Sequence, residues 1–358
     1  MSIFKRAQGM EFKYHTKLEV QIRRIFLPVL LFFLPCTTLH AQFFGAGYQT
    51  VIKSEYQYSD YLSYGYPDPI LYEYPDVPYS QPLPYFSAFP EHRFLTKITQ
   101  YFGFQTSLGL RYQWGYLDKA NRQNIYNAEL IRELNDQFSV SGAYQYMQAN
   151  NSQTGADSIS GHMFEIGGKF NFAGAVYIEP TYGYYTSGYV YPNAERGGAH
   201  SATLKLRQAL SSTTAIQVKY NYFYVDYTAP QESRKQYHAN TVTVWLSQFL
   251  PTETAVHLSG RFYRNTAQTQ SFSPSLEIIQ YLNWKTILHL CYRYYRNTPR
   301  EELFLQRITG DYFVTNAVSA ILDYSLSANT SILLKYRFYT SNQDIRMSTY
   351  LFGFEQIL

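Results

Sequence analysis

Apolar and polar residues take turns along most of this chain. In residues 286–295, Leu288, Leu290, Tyr292 and Tyr294 alternate with Ile287, His289, Cys291, Arg293 and Tyr295. The repeat returns as Ile332, Leu334, Tyr336 and Phe338 against Leu333, Lys335 and Arg337. It appears again as Val256, Leu258 and Phe262 against His257, Ser259 and Arg261. A period of two sends successive side chains to opposite faces of a β-strand. Repeated over many strands with aromatic residues near the strand ends, it predicts an all-β chain folded as a transmembrane, antiparallel, up-and-down β-barrel. A soluble sandwich would bury many phenol hydroxyls, each of which would then need a partner. The 38 Tyr and 25 Phe suit strands.

The alternation breaks into hairpins. Short turns are expected near residues 102–104, 135–136, 173–174, 211–212, 251–253, 283–284 and 327–329. Longer links are expected near 117–122, 149–160, 191–198, 228–236, 266–270, 298–307 and 341–345. In membrane barrels short turns face the periplasm and long loops the exterior. With residues 43–52 as the first strand and 346–357 as the last, the count is about 16 strands, and one misread hairpin would make it 14 or 18. Residues 53–92 are crowded with Tyr and Pro, and proline cannot sit inside a ladder. They are expected to form a long extracellular loop, or else a plug or periplasmic arm.

Charge decides which face looks outward, because Arg or Lys facing lipid at the midplane costs about 2–4 kcal/mol. Arg111, Lys219, Arg261, Arg293 and Arg337 share the polar parity and are expected to line the lumen. Glu129, Glu165, Lys205, Arg207, Glu277, Asp323 and Glu355 are expected there too. Opposite charges on strands about 4.8 Å apart can pair. The wall then reads either as hydrated and salt-bridged or as a charged constriction that selects small polar solutes. Lys205 and Arg207, near Lys219, make a basic patch suited to anions. On the other face Tyr112, Trp114, Tyr222, Tyr224, Tyr292, Tyr294, Tyr336 and Phe338 follow the aliphatic residues toward the long links. Rings with one polar tip settle at the headgroup level, so these are expected to form an aromatic girdle.

Residues 1–41 carry Lys5, Arg6, Lys13, Lys17, Arg23 and Arg24, then the apolar run 25–35, and end at Ala41. This reads as a secretory signal cleaved before Gln42, leaving residues 42–358 as one barrel domain. The formal charge of +4 belongs to that leader, and the remainder is balanced, which gives no reason to expect nucleic acid. Of the two cysteines, Cys36 falls in the leader, so Cys291 has no internal disulfide partner.

The pattern resembles Gram-negative outer-membrane β-barrels of porin-like size over nearly the whole of residues 42–358. Motifs such as Tyr292-Arg293-Tyr294-Tyr295 look like those of uncharacterised bacterial barrels. The resemblance implies an outer-membrane location, contact with outer-membrane lipid, possible homo-oligomers, and recognition of the C-terminal strand by the barrel-assembly machinery. That strand ends with Tyr350, Phe352, Phe354, Gln356 and Leu358 at the alternating spacing, departing from the family pattern at Gln356 and Leu358.

Chemistry-bearing constellations are few. His162, His200 and His238 recur every 38 residues and mark an internal hairpin repeat. Alternate strands lie roughly 10 Å apart, too far for shared ligation of a zinc ion at about 2 Å, so interfacial hydrogen bonding is the better account. No nucleophile elbow, metalloprotease or phosphate-loop motif is present, and neither catalytic activity nor a metal or cofactor is expected. Two functions remain open: a passive or weakly selective channel for small polar solutes, or a surface interaction protein whose 53–92 segment binds a partner or glycan while the barrel anchors it.

Overall fold

A computed structural model describes residues 48–61, 92–103, 105–118, 121–151, 156–172, 176–186, 196–228, 235–266, 270–298, 313–342 and 346–358. The expected leader, residues 1–41, lies outside the described residues. Residues 49–357 form one unit, a closed ring of sixteen strands in which each pairs with the next. The first eight are β1 (Tyr48–Tyr61), β2 (His92–Phe102), β3 (Thr106–Asp118), β4 (Asn121–Asn135), β5 (Phe138–Asn151), β6 (Ala156–Phe172), β7 (Val176–Thr186) and β8 (Arg196–Ala209). They are followed by β9 (Thr214–Thr228), β10 (Lys235–Leu250), β11 (Thr254–Asn265), β12 (Gln270–Asn283), β13 (Thr286–Thr298), β14 (Phe313–Ser327), β15 (Thr330–Ser341) and β16 (Arg346–Ile357). β1 returns to β16, antiparallel from Val51↔Ile357 to Tyr61↔Met347, and closes the ring.

Two expectations need correction. The first strand is not residues 43–52, and the Tyr/Pro segment does not begin at residue 53: β1 runs on to Tyr61. Alternation continues through Tyr56, Gln57, Tyr58 and Ser59, no proline intervenes before Pro67, and the whole length of β16 has to be matched. Residues 62–91 of that segment lie outside the described residues, and His92 already belongs to β2. The link expected at 117–122 is also shorter, since β3 reaches Asp118 and β4 starts at Asn121.

Residues directly opposite in an antiparallel pair share a face, so the registers carry one side assignment around the ring. Odd-numbered residues pair with odd and even with even throughout, apart from the last pair at five hairpin ends. Between β1 and β2 the side chains of Thr50 and Gln100, Ser54 and Thr96, and Tyr56 and His92 keep even residues together. The even face carries the exposed aliphatic belt, for example Leu110, Leu130, Ile166, Leu204, Leu258, Leu290 and Leu334. Among exposed large apolar residues only Tyr101, Phe249 and Tyr281 are odd-numbered, all at short-turn ends. The even face therefore looks outward and the odd face into the lumen.

Local chemistry supports the ring at its irregular points. Pro180 stays in register with β8 but the ladder lapses beside it toward β6, and Pro274 is matched by β11 but not by β13. Each proline thus turns its missing N–H toward a gap in the ladder. Gly103, at φ 66, turns the chain between β2 and β3 in a conformation that costs glycine little.

Leu290→Arg, on the outward face, should lower the stability of the folded barrel in lipid bilayers by about 2–4 kcal/mol. Ile287→Arg, which faces the lumen opposite Asp323, should shift it by no more than about 0.5 kcal/mol. Equilibrium urea unfolding in bilayers checks both.

Candidate functional site

The inner wall is the first candidate. Arg111, Glu129, Glu165, Lys205, Arg207, Lys219, Arg261, Glu277, Arg293, Asp323, Arg337 and Glu355 are all odd-numbered and lie on the inward face. Their positions along the strands differ by sign. Arg93, Arg261, Arg293 and Arg337 occupy the long-link halves of their strands, with Arg111 at a strand midpoint. Glu129, Glu133, Glu165, Glu179, Glu277, Asp323 and Glu355 lie toward the short turns, with Lys205, Arg207 and Lys219 among them. The inward carboxylate of Glu55 lies 3.7 Å from Arg93 and 3.4 Å from Lys53.

The ion pairs depart from simple cross-strand pairing of the expected residues. Lys205 Nζ meets Glu179, its direct partner on β7, at 2.7 Å. Lys219 is opposite Lys205 in register, so this pair sets a carboxylate into the expected basic patch of Lys205, Arg207 and Lys219. Lys97 reaches Glu129 at 3.5 Å across the intervening β3. The pair passes over Gly109, where a Cβ would touch the Lys97 stem at 3.4 Å. His289 Nδ1 approaches Glu277 at 3.4 Å. Glu55, Arg93, Lys97, Glu179 and Lys335 were absent from the charged set expected of the wall. Their odd parity was a usable signal, hidden at Glu55 by the misplaced end of β1.

Arg93 is only 2% exposed yet interacts electrostatically with Glu55, Arg111 and Arg337. Lys335 senses Arg337, Glu55 and Arg93 in turn, so five cationic and acidic groups from β1, β2, β3 and β15 act on one another. A small cavity of about 30 Å³ lies beside Cys291, Arg293, Ser319 and Arg337, enough for a water.

Above this band large inward side chains become buried. The largest fully buried inward side chains, Tyr185, Phe223, Val225, Tyr339 and Met347, lie in the long-link halves of their strands. Met147, Met163, Tyr185, Ala199, Phe223, Val225 and Ala239 form one apolar cluster on β5–β10. Below it Asn221 Nδ2 donates to Ser201 and Thr203 at 2.9 and 2.7 Å.

The outward rim is the second candidate. Tyr112, Trp114, Tyr222, Tyr224, Tyr292, Tyr294, Tyr336 and Phe338 are all even-numbered and run from mid-strand toward the long-link ends of β3, β9, β13 and β15. A recurring bond organises them: the phenol bonds diagonally to a polar residue two positions nearer the rim on the next strand. Tyr144, Tyr182 and Tyr222 bond the Nδ1 atoms of His162, His200 and His238, and Tyr56 does the same with His92. Tyr112, Tyr220 and Tyr292 donate to Asn124, Asn240 and Asn316 at 2.9, 2.7 and 2.7 Å. Each phenol thus has a partner within the wall and does not depend on water at the lipid boundary. No group of His, Cys, Asp or Glu among the described residues could hold a metal ion.

No family model matches the chain, and no curated protein matches it in sequence. Among solved structures it is similar to a bacterial polysaccharide outer membrane secretin, with TM-score 0.52, 10% identity, and coverage of 86% of this chain and 97% of that one. The chain has the fold of a bacterial outer-membrane β-barrel. Lesser likenesses include a loop-deleted OmpT of Vibrio cholerae, with TM-score 0.46, 9% identity, and coverage of 87% and 98%. Pseudomonas aeruginosa OprD follows, with TM-score 0.47, 6% identity, and coverage of 87% and 94%. At these identities the likeness is one of fold. The outward aliphatic belt, which only lipid can cover, agrees with an outer-membrane location.

Tyr182→Phe keeps the ring stacked on His200 and removes one bond of 2.6 Å. It should cost roughly 0.5–1.5 kcal/mol, read by unfolding in bilayers, whereas Tyr184→Phe, beside the same imidazole, should cost less.

Proposed function

We propose that the barrel is an outer-membrane channel for small polar solutes that favours anions. The observation that carries this reading is the axial separation of charge. Guanidiniums of Arg93, Arg261, Arg293 and Arg337 stand in the half of the wall that also carries its largest buried inward side chains, and Arg93 has the Glu55 carboxylate at 3.7 Å. A ring of sixteen strands encloses more width than side chains need to fill. Cationic side chains at a constriction lower the barrier for anions and raise it for cations. Carboxylates and amines mix toward the short turns, so that half offers a hydrated wall with little preference. The reading assigns the chain conduction and requires no reacting group.

Purified protein in planar bilayers under a potassium chloride gradient should show discrete conductance steps and a reversal potential displaced toward chloride. The Arg261→Gln, Arg293→Gln, Arg337→Gln triple variant should move that potential toward zero or beyond. Lys205→Ala should move it less, because Glu179 already balances Lys205. Absence of steps, a cation-selective wild type, or an unmoved potential in the triple variant would each contradict the proposal.

A further inference from the structure

The lipid-facing wall carries rim charges that conduction does not use. Arg122, Arg264, Arg296 and Arg346 are even-numbered, exposed, and placed at or next to the long-link ends of β4, β11, β13 and β16. At the opposite end of the same face, Arg132 is the one Lys or Arg among the described strand residues.

Two of these arginines lie beyond the histidine row, Arg264 on the adjacent strand β11 and Arg296 two strands further on, on β13. His200, Tyr224 and His238 lie side by side in register across β8, β9 and β10. Asn240 on β10 faces Arg264, Arg264 faces Gln270, and Phe272, two residues along β12, faces Arg296. Direct and diagonal cross-strand neighbours lie within reach of long side chains. A strip in which imidazoles and guanidiniums recur, with Tyr224 on β9 and Gln270 and Phe272 on β12 between them, thus runs from β8 to β13 on the outer surface.

The strip includes a groove of about 560 Å³ lined by Tyr182, His200, Tyr222, Tyr224, Gln236 and His238. The phenols of Tyr182 and Tyr222 occupy Nδ1 of the two imidazoles. With the phenol donating to Nδ1, the ring proton sits on Nε2, which becomes a donor for a ligand. Tyr224 donates to Asp226 at 3.3 Å, and Asp226 faces Gln236 in register, which adds an acceptor at the head of the groove.

We propose that this strip binds the phosphorylated sugar headgroup of an outer-leaflet glycolipid. Its height fixes the source of the ligand, since aromatic girdles sit at the headgroup layer, beside lipids and outside the conduction path. Guanidiniums of Arg264 and Arg296 match phosphate oxygens in charge and fork geometry. The imidazole N–H groups, the Gln236 amide and the Asp226 carboxylate supply donors and an acceptor for sugar hydroxyls. A free phosphate would have no use for the acceptor.

The test uses the refolded full barrel in nanodiscs of phosphatidylcholine doped with a bisphosphorylated acyl-glucosamine glycolipid or its dephosphorylated form. Lipid retention is read by native mass spectrometry. Preferential retention of the phosphorylated form is expected, together with a severalfold loss in Arg264→Gln/Arg296→Gln and in His238→Phe. Heat-modifiable mobility verifies that each variant is folded, and unchanged conductance keeps the result separate from the channel reading. Equal retention of both glycolipids, or undiminished retention by folded Arg264→Gln/Arg296→Gln, overturns the proposal. Displacement of the glycolipid by equimolar inorganic phosphate also overturns it, because the strip would then be a soluble-anion site.

Discussion

Hydrocarbon offers no hydrogen bonds, so every N–H and C=O of a membrane strand must be satisfied by another strand, and the sheet must close on itself. Here closure falls to β1 and β16, the two strands furthest apart in sequence. The demand explains why β1 extends to Tyr61, well beyond its first aliphatic residues. β16 presents a full-length edge, and a shorter β1 would leave the end nearest the rim without partners. Once the ring is closed, its pleat sorts side chains into two solvents, and an antiparallel register preserves that sorting from strand to strand.

The two faces then solve different problems. The outward face must end in groups that tolerate both hydrocarbon and water, and it does so with phenols tied diagonally to histidine or asparagine. Because the bond repeats from hairpin to hairpin, the girdle is itself a cross-strand device that links neighbouring strands by side chains as well as backbone. The inward face tolerates charge at any depth, which frees it to segregate guanidiniums toward the long links and carboxylates toward the short turns. Buried Arg93 is the extreme case, with Glu55 at 3.7 Å and other cations close by.

Much of this was legible in the sequence, and the reason is geometric. A period of two survives each turn with its parity intact, so the strand count, the short turns and the sidedness of Arg293 or Tyr292 follow from local pattern. What escaped was tertiary. The extent of β1 depends on β16, some three hundred residues later, and the dense prolines beyond Tyr61 masked the alternation of Tyr56 and Tyr58 with Gln57 and Ser59. The partner of Glu129 lies two strands away, reached over Gly109, and a glycine in a strand does not announce which side chain will cross it. The histidine spacing was visible as a repeat, but the tyrosine that each ring binds emerges only from the diagonal offset between strands.

The account rests on a single two-sided wall, and site-directed labelling tests it most directly. In a Cys291→Ser background, single cysteines would be placed in turn along β9 and β13 and the protein folded into bilayers. Odd positions in the short-turn half of each strand should react with a water-soluble, membrane-impermeant thiol reagent, and labels at even positions should be quenched by lipid-borne nitroxides along the strand. Two successive positions with the same behaviour in mid-strand, or lipid quenching at residues 219 and 293, would contradict it.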